Sequence, residues 1–252
     1  PHAPALNSIT GSADATLSHT DGGGANGGAD GMFNYSNSDY WAVRGVVSDT
    51  YRSGWISRTV LNPFPADVLA PNGPPFTRGD VLSAPVQSVT SDVNTVREVS
   101  GRVEVLIQPS QKLRISLLAL GQSTRLGGYD EFDLPPGPNH LTHFQPYPLA
   151  EGIHDQVSVF SATVEADLGF AELTSATGYY SRRPWQLQDA SEATSWTLES
   201  FLVSPTEMAA VGMPTYIDTP IYEAEPEHQL SEEVRLNSTG SSTLHWVAGL
   251  FY

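Results

Sequence analysis

Cysteine is absent from this chain of 252 residues, which excludes a disulfide framework, a thiolate metal site and a thiol nucleophile. Basic residues are also scarce: 12 Lys and Arg stand against 28 Asp and Glu, for a formal net charge of −16. A surface this acidic does not hold a phosphate backbone, so nucleic acid is excluded as a partner. No run approaches the roughly 18 consecutive apolar residues of a membrane-spanning helix, and residence in a membrane would therefore require a β-barrel. Helical periodicity is confined to one short cluster at 204–213, bracketed by Pro205 and Pro214. The Gly-x-Ser-x-Gly nucleophile elbow is missing. The opening Pro1-His2-Ala3-Pro4 has neither an initiating Met nor a basic-then-apolar leader, a pattern expected of a processed chain or of a piece of a longer product.

What the chain does have is period-two alternation, the signature of strands with two unlike faces. Val99, Gly101, Val103, Val105 and Ile107 fall on one face of a strand, with Glu98, Arg102, Glu104 and Gln108 opposite and Leu106 among them. Pro109-Ser110-Gln111-Lys112 makes a tight polar turn, and Leu113, Ile115, Leu117 and Ala119 return. A second hairpin spans 155–182 with its turn at Asp167-Leu168-Gly169, and a third spans 228–252 with its turn at Asn237–Ser241. Such strands exceed the globular mode of about 5–6 residues and match tilted membrane strands of about 9–11.

Connections between the hairpins are long, polar and proline-rich: 62–92, 123–153 and 183–226. Short turns alternating with long loops fit outer-membrane barrels, whose periplasmic turns are short and extracellular loops long. The amino-terminal third is less regular. A strand is expected at 12–20, a flexible loop at Gly22–Gly31, and alternation from Tyr40 to Val47, after which Trp55-Ile56-Ser57-Arg58 follows too soon for a full return strand.

Few motifs carry chemistry. The glycine run at 22–28 lacks the Lys-Ser/Thr and the following helix of a P-loop. His140-Leu141-Thr142-His143, with His154 and Asp130, Glu131 and Asp133, has ligand types suited to zinc or to a glycosidase carboxylate pair. In a proline-rich loop these residues are expected to be polar loop side chains, with no metal and no catalysis. Asn34-Tyr35-Ser36 and Asn237-Ser238-Thr239 match the short glycosylation pattern. Trp41, Trp246, Tyr179, Tyr180 and Tyr252 suit the aromatic girdles of a barrel better than a sugar platform.

Several stretches resemble the barrel domain of TonB-dependent receptors, in particular the group found in sphingomonads. They are Arg78-Gly79-Asp80-Val81-Leu82-Ser83-Ala84-Pro85-Val86, Asp92-Val93-Asn94-Thr95-Val96, Gly127-Gly128-Tyr129-Asp130-Glu131-Phe132-Asp133 and Leu173-Thr174-Ser175-Ala176-Thr177-Gly178-Tyr179-Tyr180. The fullest likeness is Gln229-Leu230-Ser231-Glu232-Glu233-Val234-Arg235-Leu236 followed by Leu244-His245-Trp246-Val247-Ala248-Gly249-Leu250-Phe251-Tyr252. The resemblance implies an all-β antiparallel transmembrane wall over 1–252, seven or eight strands from the front half of a 22-stranded barrel, with long extracellular loops and no plug domain in the chain. It departs from the family near Ser48–Ser57, where a complete strand would return. The implied function is uptake of a scarce nutrient (a siderophore, vitamin or oligosaccharide) at the Gram-negative outer membrane. The implied partners are membrane lipid, a small-molecule ligand and the TonB complex through the absent plug; no cofactor and no enzymatic step is implied. Tyr129, Asp130, Asp133, His140 and His143 are the loop residues expected to touch ligand. The alternatives are a complete eight-stranded outer-membrane barrel and a soluble β-sandwich that binds or cleaves carbohydrate.

Overall fold

The computed structural model describes residues 2–65, 68–69, 76–133, 141–201, 216–239 and 244–252. In chain order its elements are β1 (Ile9–His19), β2 (Ala25–Tyr35), β3 (Trp41–Arg52), β4 (Ile56–Leu61), β5 (Val68–Leu69), β6 (Phe76–Thr77), β7 (Val86–Thr90), β8 (Val96–Ser110), β9 (Leu113–Leu126), β10 (Leu141–Gln145), β11 (Gly152–Asp167), β12 (Ala171–Asp189), α1 (Ser191–Phe201), β13 (Pro220–Glu223), β14 (Glu227–Ser238) and β15 (Val247–Phe251). The wall is one sheet ordered β1-β2-β3-β8-β9-β11-β12-β14-β15, with β13 beside the upper end of β12. Its pairings are antiparallel. The path ends on β1 and β15, which do not meet, so the sheet is open. That removes the closed eight-stranded barrel as a description. Among the described residues the other two sheets have three and two strands.

The two ends of the wall differ sharply. At the lower end the connections are 36–40, 111–112, 168–170 and 239–246; at the upper end they are 20–24, 53–95, 127–151 and 190–226. The expected alternation of short turns and long connections is therefore present. Some boundaries move. Gly22, at φ +73°, closes a tight turn at 20–24, and the rest of the supposed flexible glycine loop is strand β2. The third hairpin turns over 239–246 rather than 237–241, because β14 continues to Ser238. Pro109 sits at a bulge, where the register of β8 against β9 shifts by one between Ile107 and Ser110, since proline has no N–H for the ladder.

Register fixes the faces. One row runs Phe33–Gly45–Val103–Ala119–Phe160–Tyr179–Leu230 across seven strands, and the next runs Asn34–Arg44–Glu104–Leu118–Ser161–Gly178–Ser231. The first face is apolar and bare: Phe33 and Phe160 are each 53% exposed and Leu230 is 56% exposed. Leu106, which breaks the alternation, is buried on the polar face opposite Ala42.

The region near Ser48–Ser57 lacks no strand. β3 pairs with β8 without interruption to Arg52↔Val96, and the chain then leaves the wall. Asn94, 1% exposed, makes that departure. Its Oδ1 accepts from the Trp55 and Ile56 backbone N–H groups at 2.8 and 2.9 Å, and its Nδ2 donates to Asp130 at 2.7 Å. Gly54 lies so close that a Cβ there would stand 2.5 Å from the Asp92 carbonyl oxygen.

The described parts of the long connections form regular elements. β4 leaves the wall to pair in parallel with β10 and antiparallel with β7, so connections far apart in sequence build one small sheet. Helix α1, in the third connection, starts at Ser191; the short cluster at 204–213 lies outside the described residues. Among the described residues, five of the eight buried apolar side chains, Ile56, Val60, Leu61, Phe64 and Phe144, belong to this upper cap, and Leu61, Phe64 and Phe144 pack together. Asn94→Ala should orphan two backbone N–H groups and cost about 2 kcal/mol, read as a lower urea midpoint; an unchanged midpoint would refute the pinning role.

Candidate functional site

Among the described residues the cap is where unlike chemistry converges. Only Arg58 and Arg78 of the twelve basic residues lie in 53–95, 127–151 and 190–226, so each acid there competes for little positive charge. Arg78 takes the central place. Its Nη1 donates to Asp133 Oδ1 and its Nη2 to Glu192 Oε1, both at 2.5 Å. Its guanidinium lies 5.5 Å from the centre of the Phe64 ring and 5.8 Å from that of Phe144, within cation–π range. One side chain thus ties the connection before β7, the segment after β9 and the start of α1.

Strand β10 supplies the neighbouring groups. The Phe144 N–H donates to Asp133 Oδ2 at 2.6 Å, and the Asp133 N–H donates to the Thr142 carbonyl at 2.8 Å. His143 points its Nε2 at Glu151 Oε2 (3.4 Å) and its Nδ1 at Asp133 Oδ2 (3.8 Å). Glu151 in turn accepts the Asp189 N–H at 2.8 Å. Gln145, two residues along the same strand face, is fully buried with neither amide atom hydrogen-bonded. Arg58, opposite His143 on β4, donates to the Leu149 carbonyl at 2.5 Å.

Electrostatics follow from this crowding. Burial pushes the Glu192 carboxyl up to about 7 against the pull of Arg78, with Asp133 adding repulsion. Two carboxylates sharing one guanidinium leave an excess negative charge, which favours keeping one of them protonated. Burial alone would lower His143, but Glu151 and then Asp133 outweigh it and hold its pKa above the ordinary value. The Tyr129 hydroxyl, buried without a partner, is pushed up by burial and then by Glu151. The cluster is built to hold a proton.

The expected ligand residues divide. Asp133 and His143 come together here. Asp130 instead receives the Asn94 amide, and no hydrogen bond joins Tyr129 to the cluster among the described residues. His140 lies outside the described residues. His154 sits on the wall, its Nε2 3.1 Å from Ser123 Oγ and its Nδ1 accepting from Trp185 Nε1 at 3.3 Å. Among the described residues no group of three or more His, Asp and Glu side chains is placed to hold a metal. Arg78, Glu151 and Glu192 escaped the sequence reading. The scarcity of arginine in the connections was the available signal.

Both raised groups bind protons more tightly in the folded cap than in the open chain, so both stabilise it in the same direction. That contribution is complete below the unfolded values of 4.5 for Glu and 6.5 for His and is lost as pH rises through the folded values, near 7 for Glu192. Glu192 keeps 36% side-chain exposure, so water screens part of the effect. Hydrogen exchange of 141–145 and 191–201, corrected for intrinsic rates, should accelerate about tenfold from pH 6 to 8, and Glu192→Gln should flatten the trend. Equal pH dependence in both proteins would count against the cluster.

Comparison of the chain with protein-family models, curated proteins and solved structures gives no match.

Proposed function

We propose that this chain is wall and outer loops of an outer-membrane β-barrel of the TonB-dependent receptor type, which takes up a scarce nutrient such as a siderophore, vitamin or oligosaccharide. The observation that carries the barrel reading is the bare apolar face and its two boundaries. At the lower edge Trp41 and Tyr35 lie 5.8 Å apart, centre to centre. At the upper edge the same face shows Tyr51 and Trp185, and Trp185 stacks on Tyr222 at 6.1 Å. Trp41 and Tyr51 are ten residues apart on β3. That is about 33 Å along a strand, and at a tilt near 40° it projects to about 25 Å, the height of an outer-membrane apolar band. Aromatic rings at both boundaries suit the two lipid–water interfaces.

In this reading the short turns face the periplasm and the cap faces outward, and the unpaired edges β1 and β15 join further wall strands of a 22-stranded barrel. The receptor assignment adds the quoted sequence resemblance to the wall geometry. Ligand meets the cap, and the TonB complex acts through a plug outside this chain. No catalytic step is assigned.

Neighbouring leucines give the test, because Leu117 pairs with Val105 on the apolar face and Leu118 with Glu104 on the other. Leu117→Arg should cost about 2–4 kcal/mol in lipid and deplete the protein from the outer-membrane fraction, while Leu118→Arg should insert normally. Equal behaviour of the two variants, or a wild-type protein that stays monodisperse in buffer without detergent, would defeat the membrane reading. Uptake that persists in cells lacking TonB would defeat the receptor reading alone.

A further inference from the structure

The upper boundary of the apolar face carries a concentration of arginine that the rest of this acidic chain does not prepare for. One register row reads Tyr51–Arg97–Arg125–His154–Trp185 across five strands. The row just below it reads Asp49–Val99–Ser123–Gln156–Arg183. Three of the twelve basic residues therefore share one face of the rim.

Their partners are unequal. Arg97 is paired, its Nη2 2.8 Å from Asp49 Oδ2. Arg125 and Arg183 make no ion pair or side-chain hydrogen bond among the described residues, although acids outnumber bases more than twofold. Arg182, one residue from Arg183 but on the opposite face, shows what the chain does elsewhere: it holds Asp155 at 2.7 Å and Glu227 at 3.7 Å. Arg97 and Arg125 are directly opposite each other on antiparallel strands. Like charges so placed repel at short range, and Asp49 offsets only one of them.

We propose that Arg125 and Arg183 form a rim site for the phosphate of an anionic membrane lipid headgroup. The site rests on the reading of this face as lipid-facing. Its depth fits, because Arg125 shares the register row of Tyr51 and Trp185 and Arg183 lies one row below, the level where headgroups begin. The chemistry fits as well. A phosphate offers several acceptor oxygens to guanidinium donors, and its charge relieves the Arg97–Arg125 repulsion. The neighbouring Ser123 Oγ and Gln156 amide, on the same face between the two arginines, add neutral donors. His154 is oriented by Trp185 and Ser123 and completes the row.

The complete barrel that contains this chain, reconstituted in nanodiscs of phosphatidylcholine containing a minor fraction of diphosphorylated lipid A, tests this by native mass spectrometry of retained lipid. Lipid A should be retained in preference to phosphatidylcholine. Arg125→Gln and Arg183→Gln should each weaken that preference about fivefold, in line with the surface attraction of one basic residue, while Lys112→Gln at the lower end should leave it unchanged. Inorganic phosphate at millimolar concentration should not compete; if it does, the site takes free phosphate and the lipid assignment is overturned. Insertion with no preference for lipid A, or a preference that survives both substitutions, overturns the rim site and leaves the membrane reading standing. Failure of the wild-type complete barrel to enter any nanodisc overturns both.

Discussion

Lateral hydrogen bonding of the backbone, more than burial of side chains, holds the wall together, and most other features follow from its register. The β8–β9–β11–β12 ladders run from Val96↔Leu126 at the top to Asp167↔Glu172 at the bottom. A slip of one residue in any of them would carry the Val103–Ala119–Phe160 row to the polar face. The one irregularity in these ladders, at Pro109, lies next to the lower turn, where nothing beyond it needs to stay in step. Because register is kept to the upper rim, the segments that leave it do so at fixed points. Asn94 and Gly54 hold β4 at the place where it can reach β10.

Legibility in the sequence tracks the range of the interactions involved. The 96–126 and 152–189 hairpins could be read because their partners are near in sequence and their apolar residues alternate. β2 has the pattern of a loop because Gly27, Gly28 and Gly31 carry no side chain to alternate, although its backbone pairs on both sides. The cap was illegible for a different reason. The parallel pairing of β4 with β10 joins residues some 85 positions apart, and Arg78 meets Glu192 across 114 positions; no local pattern encodes either. Helix α1 did leave a trace. Asp189 lies just before the helix, and its carboxylate accepts the Ser191 N–H at 2.9 Å, a local side-chain bond of the kind found at helix starts. Of the expected ligand residues, Asp133 and His143 stand out in the sequence by chemistry alone, and the fold supplies their neighbours.

Wall and cap are stabilised by different means, so they respond to different conditions. The wall offers an apolar face that water penalises and an acyl chain accepts, and its integrity depends on what covers that face. The cap has its own small apolar cluster of Leu61, Phe64 and Phe144 and a charged centre in which one guanidinium serves two carboxylates. Proton activity and ionic strength therefore act on the cap, while the surrounding solvent or lipid acts on the wall.

A folded cap changes what ligand capture demands in the proposed receptor. Free loops would close around a nutrient at the cost of their own ordering. Here much of that ordering is already present, since β10 is paired to β4 over five residues and Arg78 joins three connections. A ligand that only touches the outside of the cap meets an acidic surface and gains little. For one that enters between these connections, Arg78 is the side chain whose partners, Asp133 and Glu192, must be replaced. Cationic or neutral polar ligands satisfy the freed Asp133 and Glu192, whereas anionic ligands compete with those carboxylates for a single arginine. In the proposed receptor, the acid excess of the connections therefore disfavours an anionic ligand beside Arg78.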